Sequence, residues 1–276
     1  MQKIKTAQTI LFSLLIILCN TSINAQEIRV DTITLTKTRT IRIATVRSVP
    51  TFIIQLSGGY NSGALELSQH NGEFSKSDFI AGKSYGARMG YGVSLTGKIR
   101  LHKKGIFWLD VITSYNRFQS GNTADSGKIS YNVFSGGLGA EINFTSYHRV
   151  KYFVGANVLY SAISGEAELV RPFENIDIEL LNVKIKSANR IGYSVFIGLD
   201  YAFTNNFGFN LGYKFTHANL LLKNSTPVTR NSETEINDDS TEPRQLYTGW
   251  KQFAYSSLFA GISYYFGVKE GRYKLP

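Results

Sequence analysis

The sequence predicts an all-β fold: an antiparallel up-and-down β-barrel that crosses a membrane with about eight strands. Three observations predict it. First, short segments alternate large apolar residues with small or polar ones. In RIGYSVFIGLDYAF, for example, Ile191, Tyr193, Val195, Ile197, Leu199, Tyr201 and Phe203 share one parity. Second, the connections between such segments alternate long and short along the chain. Third, the composition carries 18 Phe, 16 Tyr and 25 Gly against 5 Pro, which suits strands separated by turns. Beyond the N-terminus no segment approaches the roughly eighteen consecutive apolar residues of a membrane helix.

The first element is MQKIKTAQTILFSLLIILCNTSINAQ. Lys3 and Lys5 precede an apolar run from Ile10 to Cys19, and a polar stretch ends Asn24-Ala25-Gln26, the pattern of a secretory signal peptide over residues 1–25. The run is about half the length a membrane span needs. Cys19 is the chain's one cysteine, and Leu18 before it argues against lipid attachment there. After cleavage a core or a membrane, rather than disulfides, must hold the fold. The formal net charge is +10. On an exported chain this points to anionic headgroups or lipopolysaccharide phosphates rather than nucleic acid.

Residues 26–50, basic and threonine-rich, read as an extended periplasmic linker whose weak alternation could add a strand to a neighbouring edge. Residues 51–267 carry the barrel, and 268–276 read as a periplasmic C-terminal tail. Period-two segments run Phe52–Asn61, Tyr85–Ile99, Phe107–Tyr115, Phe134–Phe144, Tyr152–Tyr160, Ile191–Phe203, Phe207–Phe215 and Leu258–Phe266. In the fourth, Tyr131 and Val133 share one parity and Phe134 and Leu138 the other, which predicts a bulge or a strand leaving the bilayer. A ten-stranded count stays open.

Long connections cover residues 62–84, 119–128, 165–189 and 220–251, and short ones 101–105, 145–151 and 204–206. Strict alternation of this kind is expected when all turns at one end face the periplasm and all loops at the other face outward. A Greek-key sandwich gives no reason for it. Aromatic residues gather at both strand ends: Phe107, Phe144, Phe203 and Phe266 beside short turns, and Tyr85, Tyr115, Tyr160 and Tyr193 towards long loops. They form the two girdles of a barrel in lipid.

With these features the chain resembles the small eight-stranded outer-membrane barrel family, the OmpA-like and OmpX-like transmembrane domains and porin-family proteins of Gram-negative bacteria. The resemblance covers roughly Thr51 to Gly267 and includes LFAGISYYFG, whose alternation ending in Phe266 looks like a C-terminal assembly signal. It departs from the usual ending, because VKEGRYKLP continues where many members stop. The resemblance implies a cell outer-membrane location with both mature termini periplasmic, and insertion by the barrel assembly machinery.

A barrel of eight strands has an interior that side chains can fill. The inward parity carries Arg88, Lys98, Asp110, Glu141, Asp200 and Lys214, with Asn157, Asn210, Trp108, Phe196 and Phe259 among them. Charges so confined must pair. The expectation is a plug in which the three acids lie towards the periplasmic half, with Lys98, Arg88 and Lys214 as partners. The alternative is a narrow passive channel for small solutes.

No enzyme is predicted. His70, His102, His148 and His217 lie apart, none has a serine two residues on, and no pair has metal-ligand spacing. A lipid-modifying enzyme is the weaker alternative, and no catalytic residue, cofactor or metal is assigned. Loop residues 224–245, with Glu233, Glu235, Asp238, Asp239 and Glu242, should be mobile and solvated. IDIELLNVKIK, residues 176–186, should continue as a hairpin above the membrane. Lys83, Arg117, Lys184, Lys186 and Arg190 would crown the outer rim as candidate lipopolysaccharide contacts, unless they are simply solvated. The partners expected are outer-membrane lipid, lipopolysaccharide and an envelope protein. The role expected is structural or interactive.

Overall fold

A computed structural model describes residues 30–33, 41–68, 84–120, 128–144, 149–171, 179–224, 233–239 and 249–274. The signal-peptide segment and Lys83 lie outside the described residues. Among the described residues the strands are β1 (Val30–Ile33), β2 (Ile41–Arg47), β3 (Phe52–Ala64), β4 (Met89–Arg100), β5 (Phe107–Gln119) and β6 (Lys128–Asn143). They continue as β7 (Val150–Arg171), β8 (Glu179–Ala202), β9 (Phe207–Leu221), β10 (Glu233–Thr234), β11 (Ala254–Phe266) and β12 (Glu270–Lys274).

The chain divides into two units. In the first, the segments read as a linker and a tail pair with each other: β2 lies between β1 and β12, antiparallel to both. Ser48 N donates to Lys269 O at 2.9 Å, and Lys269 N to Ser48 Oγ at 2.7 Å.

The second unit, Val49–Val268, is the barrel. Antiparallel pairing runs from β8 through β7, β6, β5, β4 and β3 to β11 and β9, and β9 returns to β8. The eight strands therefore close without an edge. Neighbours in sequence pair because each connection is a hairpin; only the β9 to β11 connection also contributes the short β10, parallel to β8 at Lys184 and Ile185. In the tight turn before β5, Gly105 takes φ +69°, a left-handed conformation open to glycine, and its N–H closes on His102 O at 2.7 Å. Thr204 Oγ1 accepts from Phe207 N at 2.9 Å and fixes the turn before β9.

Every barrel strand turns alternate residues outward, and that face is apolar. Leu56 is 60%, Leu138 60%, Val158 64% and Leu258 61% exposed. Between the two aromatic levels no charged side chain lies on it. An apolar surface that wraps all eight strands exceeds what a protein leaves in water, so this is a membrane barrel.

Two expectations are corrected. The segment Tyr85–Arg88 precedes β4, and Tyr85 and Ala87 are buried rather than lipid-facing. Gly86, at φ +70°, turns the chain into the barrel mouth there. The fourth barrel strand, β6, has neither bulge nor departure and pairs evenly with both neighbours along its length. Tyr131 and Val133 are inward, buried in an apolar cluster at the long-loop end. The irregularities fall elsewhere, at Ile163/Gly165 in the β7–β8 pair and at Ile191/Tyr193 in the β8–β9 pair. β7 and β8, of 22 and 24 residues, pair out to Arg171 and Glu179 as a long hairpin.

Candidate functional site

The inward parity makes the lumen the candidate site, and its contents can be taken from the short-turn end upward. Val49, Ile53, Trp108, Ala202 and Tyr265 form a buried cluster there. The Trp108 indole donates to Gly105 O at 2.7 Å, so the indole's one polar atom is satisfied.

Above it lie the charges. Lys98 forms an ion pair with Glu141, both buried, and its ammonium sits 4.4 Å from the centre of the Phe153 ring. Glu141 also accepts from Asn143 Nδ2 at 2.9 Å. Asp200 accepts from the hydroxyls of Ser263 and Tyr265, each at 2.8 Å, and faces Lys151 Nζ at 3.9 Å. Ser263 Oγ in turn accepts from Gln55 and Asn210 at 3.0 and 3.1 Å. Asp110 stands opposite Lys98 in the β4–β5 register.

The three acids thus gather in the short-turn half. Lys98 pairs with one of them, Glu141, and stands opposite Asp110 in register, but Arg88 does not join: it is exposed and precedes β4. Lys214 joins none of these ion pairs, but it lines the same cavity as Lys98 and Asp110. The partner that sequence reasoning misses is Lys151, which the alternation assigns to the 145–151 turn. Its parity with the inward residue Asn157 was the available signal.

The rest of the lumen is filled by rings seated on glycines of the neighbouring strand. Phe196 covers Gly155, Phe153 covers Gly198, Phe259 covers Gly212 and Tyr265 covers Gly208. A Cβ on any of these glycines would occupy the ring's place. The glycine-rich parity therefore makes room for aromatic filling, and a cavity of about 30 Å³ lies among these side chains.

At the long-loop end the lumen is apolar. Tyr85, Phe118, Tyr131, Phe253 and Tyr255 pack in one cluster, with ring centres 4.8 Å apart for Phe118 and Tyr255. Over it lies a polar knot that corrects two expectations. Asp238, expected in a solvated loop, is fully buried, and Arg190, expected at the rim, is buried against it at 2.6 Å. Tyr85 and Asn219 donate to Asp238 Oδ1 at 2.6 and 2.8 Å. Asn224 N donates to Oδ2 at 3.0 Å. Burial, with Asp238 beside it, holds the Tyr85 hydroxyl well above its ordinary range. Burial pushes Lys251, whose ammonium is 5.0 Å from the centre of the Tyr85 ring, down to about 8.

The remaining rim residues are spread apart. Lys184 and Lys186 are exposed; Lys184 stands opposite Glu166 and Glu233, and Lys186 pairs with Glu233 at 3.1 Å. Arg117 lies on the outward parity of β5, opposite Tyr91 and Asn132, and its Nε is buried without a hydrogen-bond partner. His217 bonds Gln252, and no group of metal-ligating side chains occurs among the described residues.

No protein-family model and no curated protein matches the chain. Solved structures do. Neisserial surface protein A is 15% identical, with a TM-score of 0.44 over 80% of this chain and 99% of that one. The outer-membrane protein OprG of Pseudomonas aeruginosa is 10% identical, with a TM-score of 0.42 over 83% and 98%. The N-terminal barrel domain of OprF from the same organism is 12% identical, with a TM-score of 0.36 over 79% and 99%. With its eight strands closed and its apolar face outward, this chain has the fold of the small outer-membrane β-barrels.

Proposed function

We propose that the chain is an integral outer-membrane protein with a closed lumen and a structural or interaction role exercised at its two ends. The observation that carries this reading is the interior itself: ion pairs and rings seated on glycines fill the barrel, and apolar clusters lie at both ends. Such a lumen suits a scaffold better than a conduit for solutes. The long-loop end would face outward and both termini inward, as the long and short connections suggest.

The partners in this reading are outer-membrane lipid and lipopolysaccharide, the assembly machinery during insertion, and an envelope protein met by the loops or by the paired terminal strands. Of the rim cations, Arg117 has the best claim on a lipid phosphate, because Arg190 is buried and Lys184 and Lys186 have acidic neighbours. The role is non-catalytic, so lipid A incubated with the purified barrel should keep its mass. The direct test is solute entry into liposomes carrying the barrel. Swelling rates in small sugars should match protein-free liposomes, and size-dependent swelling would contradict the reading.

A further inference from the structure

The cavity in the middle of the lumen brings together polar groups that the ion pairs do not use. Both carboxylate oxygens of Asp110 are buried without a hydrogen bond, and so is Asn157 Oδ1. Lys214 lines the same cavity and makes no hydrogen bond or ion pair among the described residues. Phe196 and Phe259 wall it on its apolar side. Buried polar atoms are satisfied in more than about nine cases in ten, and an orphan commonly marks a bound water or ion. A buried carboxylate left bare beside a half-buried ammonium in a barrel midsection would be costly.

We propose that this cavity is a water site, in which ordered water bridges Asp110 and Asn157 to Lys214. Its volume of about 30 Å³ open to water centres admits about two waters, each offering the donors and acceptors the three side chains lack. Charge balance selects water over an ion. Asp110, Glu141 and Asp200 are matched by Lys98, Lys151 and Lys214. A cation entering would meet Lys98 and Lys214, and an anion would meet Asp110. The site is therefore neutral as it stands, and an ion bound without a compensating charge would unbalance it, whereas water does not. Its selectivity follows: removing one lysine should turn it into a cation site, and removing the acid should turn it into an anion site.

The test begins with a double-mutant cycle on thermal unfolding of the detergent-solubilised barrel, using Asp110→Asn, Lys214→Met and both together. Each single change should lower the midpoint, and the double variant should lose clearly less than the summed single losses. Additive losses would overturn the bridge. Crystals soaked in bromide or rubidium give the second readout. Bromide should appear beside Lys214 in the Asp110→Asn barrel and rubidium beside Asp110 in the Lys214→Met barrel, with neither ion in the native cavity. An ion in the native cavity would overturn the water assignment. Should the variants fail to fold, the native protein still decides. Cross-relaxation between the Asn157 side-chain amide and long-lived water is expected, and its absence would overturn the proposal.

Discussion

Lys98 holds two acids at once, Glu141 in an ion pair and Asp110 directly opposite in register. Lys98→Met leaves both buried without it, and removing one partner of a buried pair costs about 3 to 5 kcal/mol. Denaturant titration of the barrel in micelles should show a loss of that order, and Lys98→Met with Glu141→Gln should recover part of it. Lys251 makes the second residue-scale prediction. Its ammonium, ordinarily near 10.5, is pushed to about 8 by burial, and Asp238 and Asp239 only partly offset this. Below pH 8 folded and unfolded chains both hold the proton. From about 8 towards 10 only the unfolded chain does, so the folded mouth gains stability as pH rises. Tyr85 keeps its proton throughout that window. In a Trp108→Phe background, acrylamide quenching of Trp250 should therefore fall between pH 7.5 and 9.5, and Lys251→Met should flatten the profile.

At the scale of elements, ring and glycine pair across strands, and the pairing is set by register. Gly155 stands opposite Phe196, and a Cβ there would meet the ring. Gly155→Val should cost about 1 to 3 kcal/mol of unfolding free energy by overpacking. Phe196→Leu added to it should restore part of the loss. This level also separates what the residues disclosed from what they did not. Period-two alternation placed the eight barrel strands and turned Asp110, Glu141 and Asp200 inward, because parity alone decides which medium a side chain meets. Tyr131 and Val133 misled, since an apolar residue on the inward parity looks like a shifted register until the mouth is known to be apolar. Tyr85 misled for the same reason. The burial of Asp238 was illegible: it depends on Arg190, Asn219 and Tyr85 meeting it from three distant parts of the chain. Lys151 sat within reach of the parity argument but at the edge of a turn.

The whole molecule combines an apolar exterior with a charged interior that is balanced within itself. Slipping a strand such as β8 by one residue would turn Arg190 and Asp200 outward, at a cost that falls from roughly 2 to 4 kcal/mol for a basic residue at the midplane to about 0 to 1 kcal/mol near the interfaces and is less for an acid. The aspartate between Leu199 and Tyr201 therefore fixes the register of its strand. Apolar clusters cover both ends of the interior, at Trp108 and Tyr265 below and at Tyr85 and Phe253 above. We propose that the paired charges between them leave no continuous aqueous path. Single-channel recording of the purified barrel in planar bilayers tests this closure most directly. A closed lumen gives a flat baseline at applied voltages of either sign, and stable unitary openings that scale with salt concentration would contradict closure.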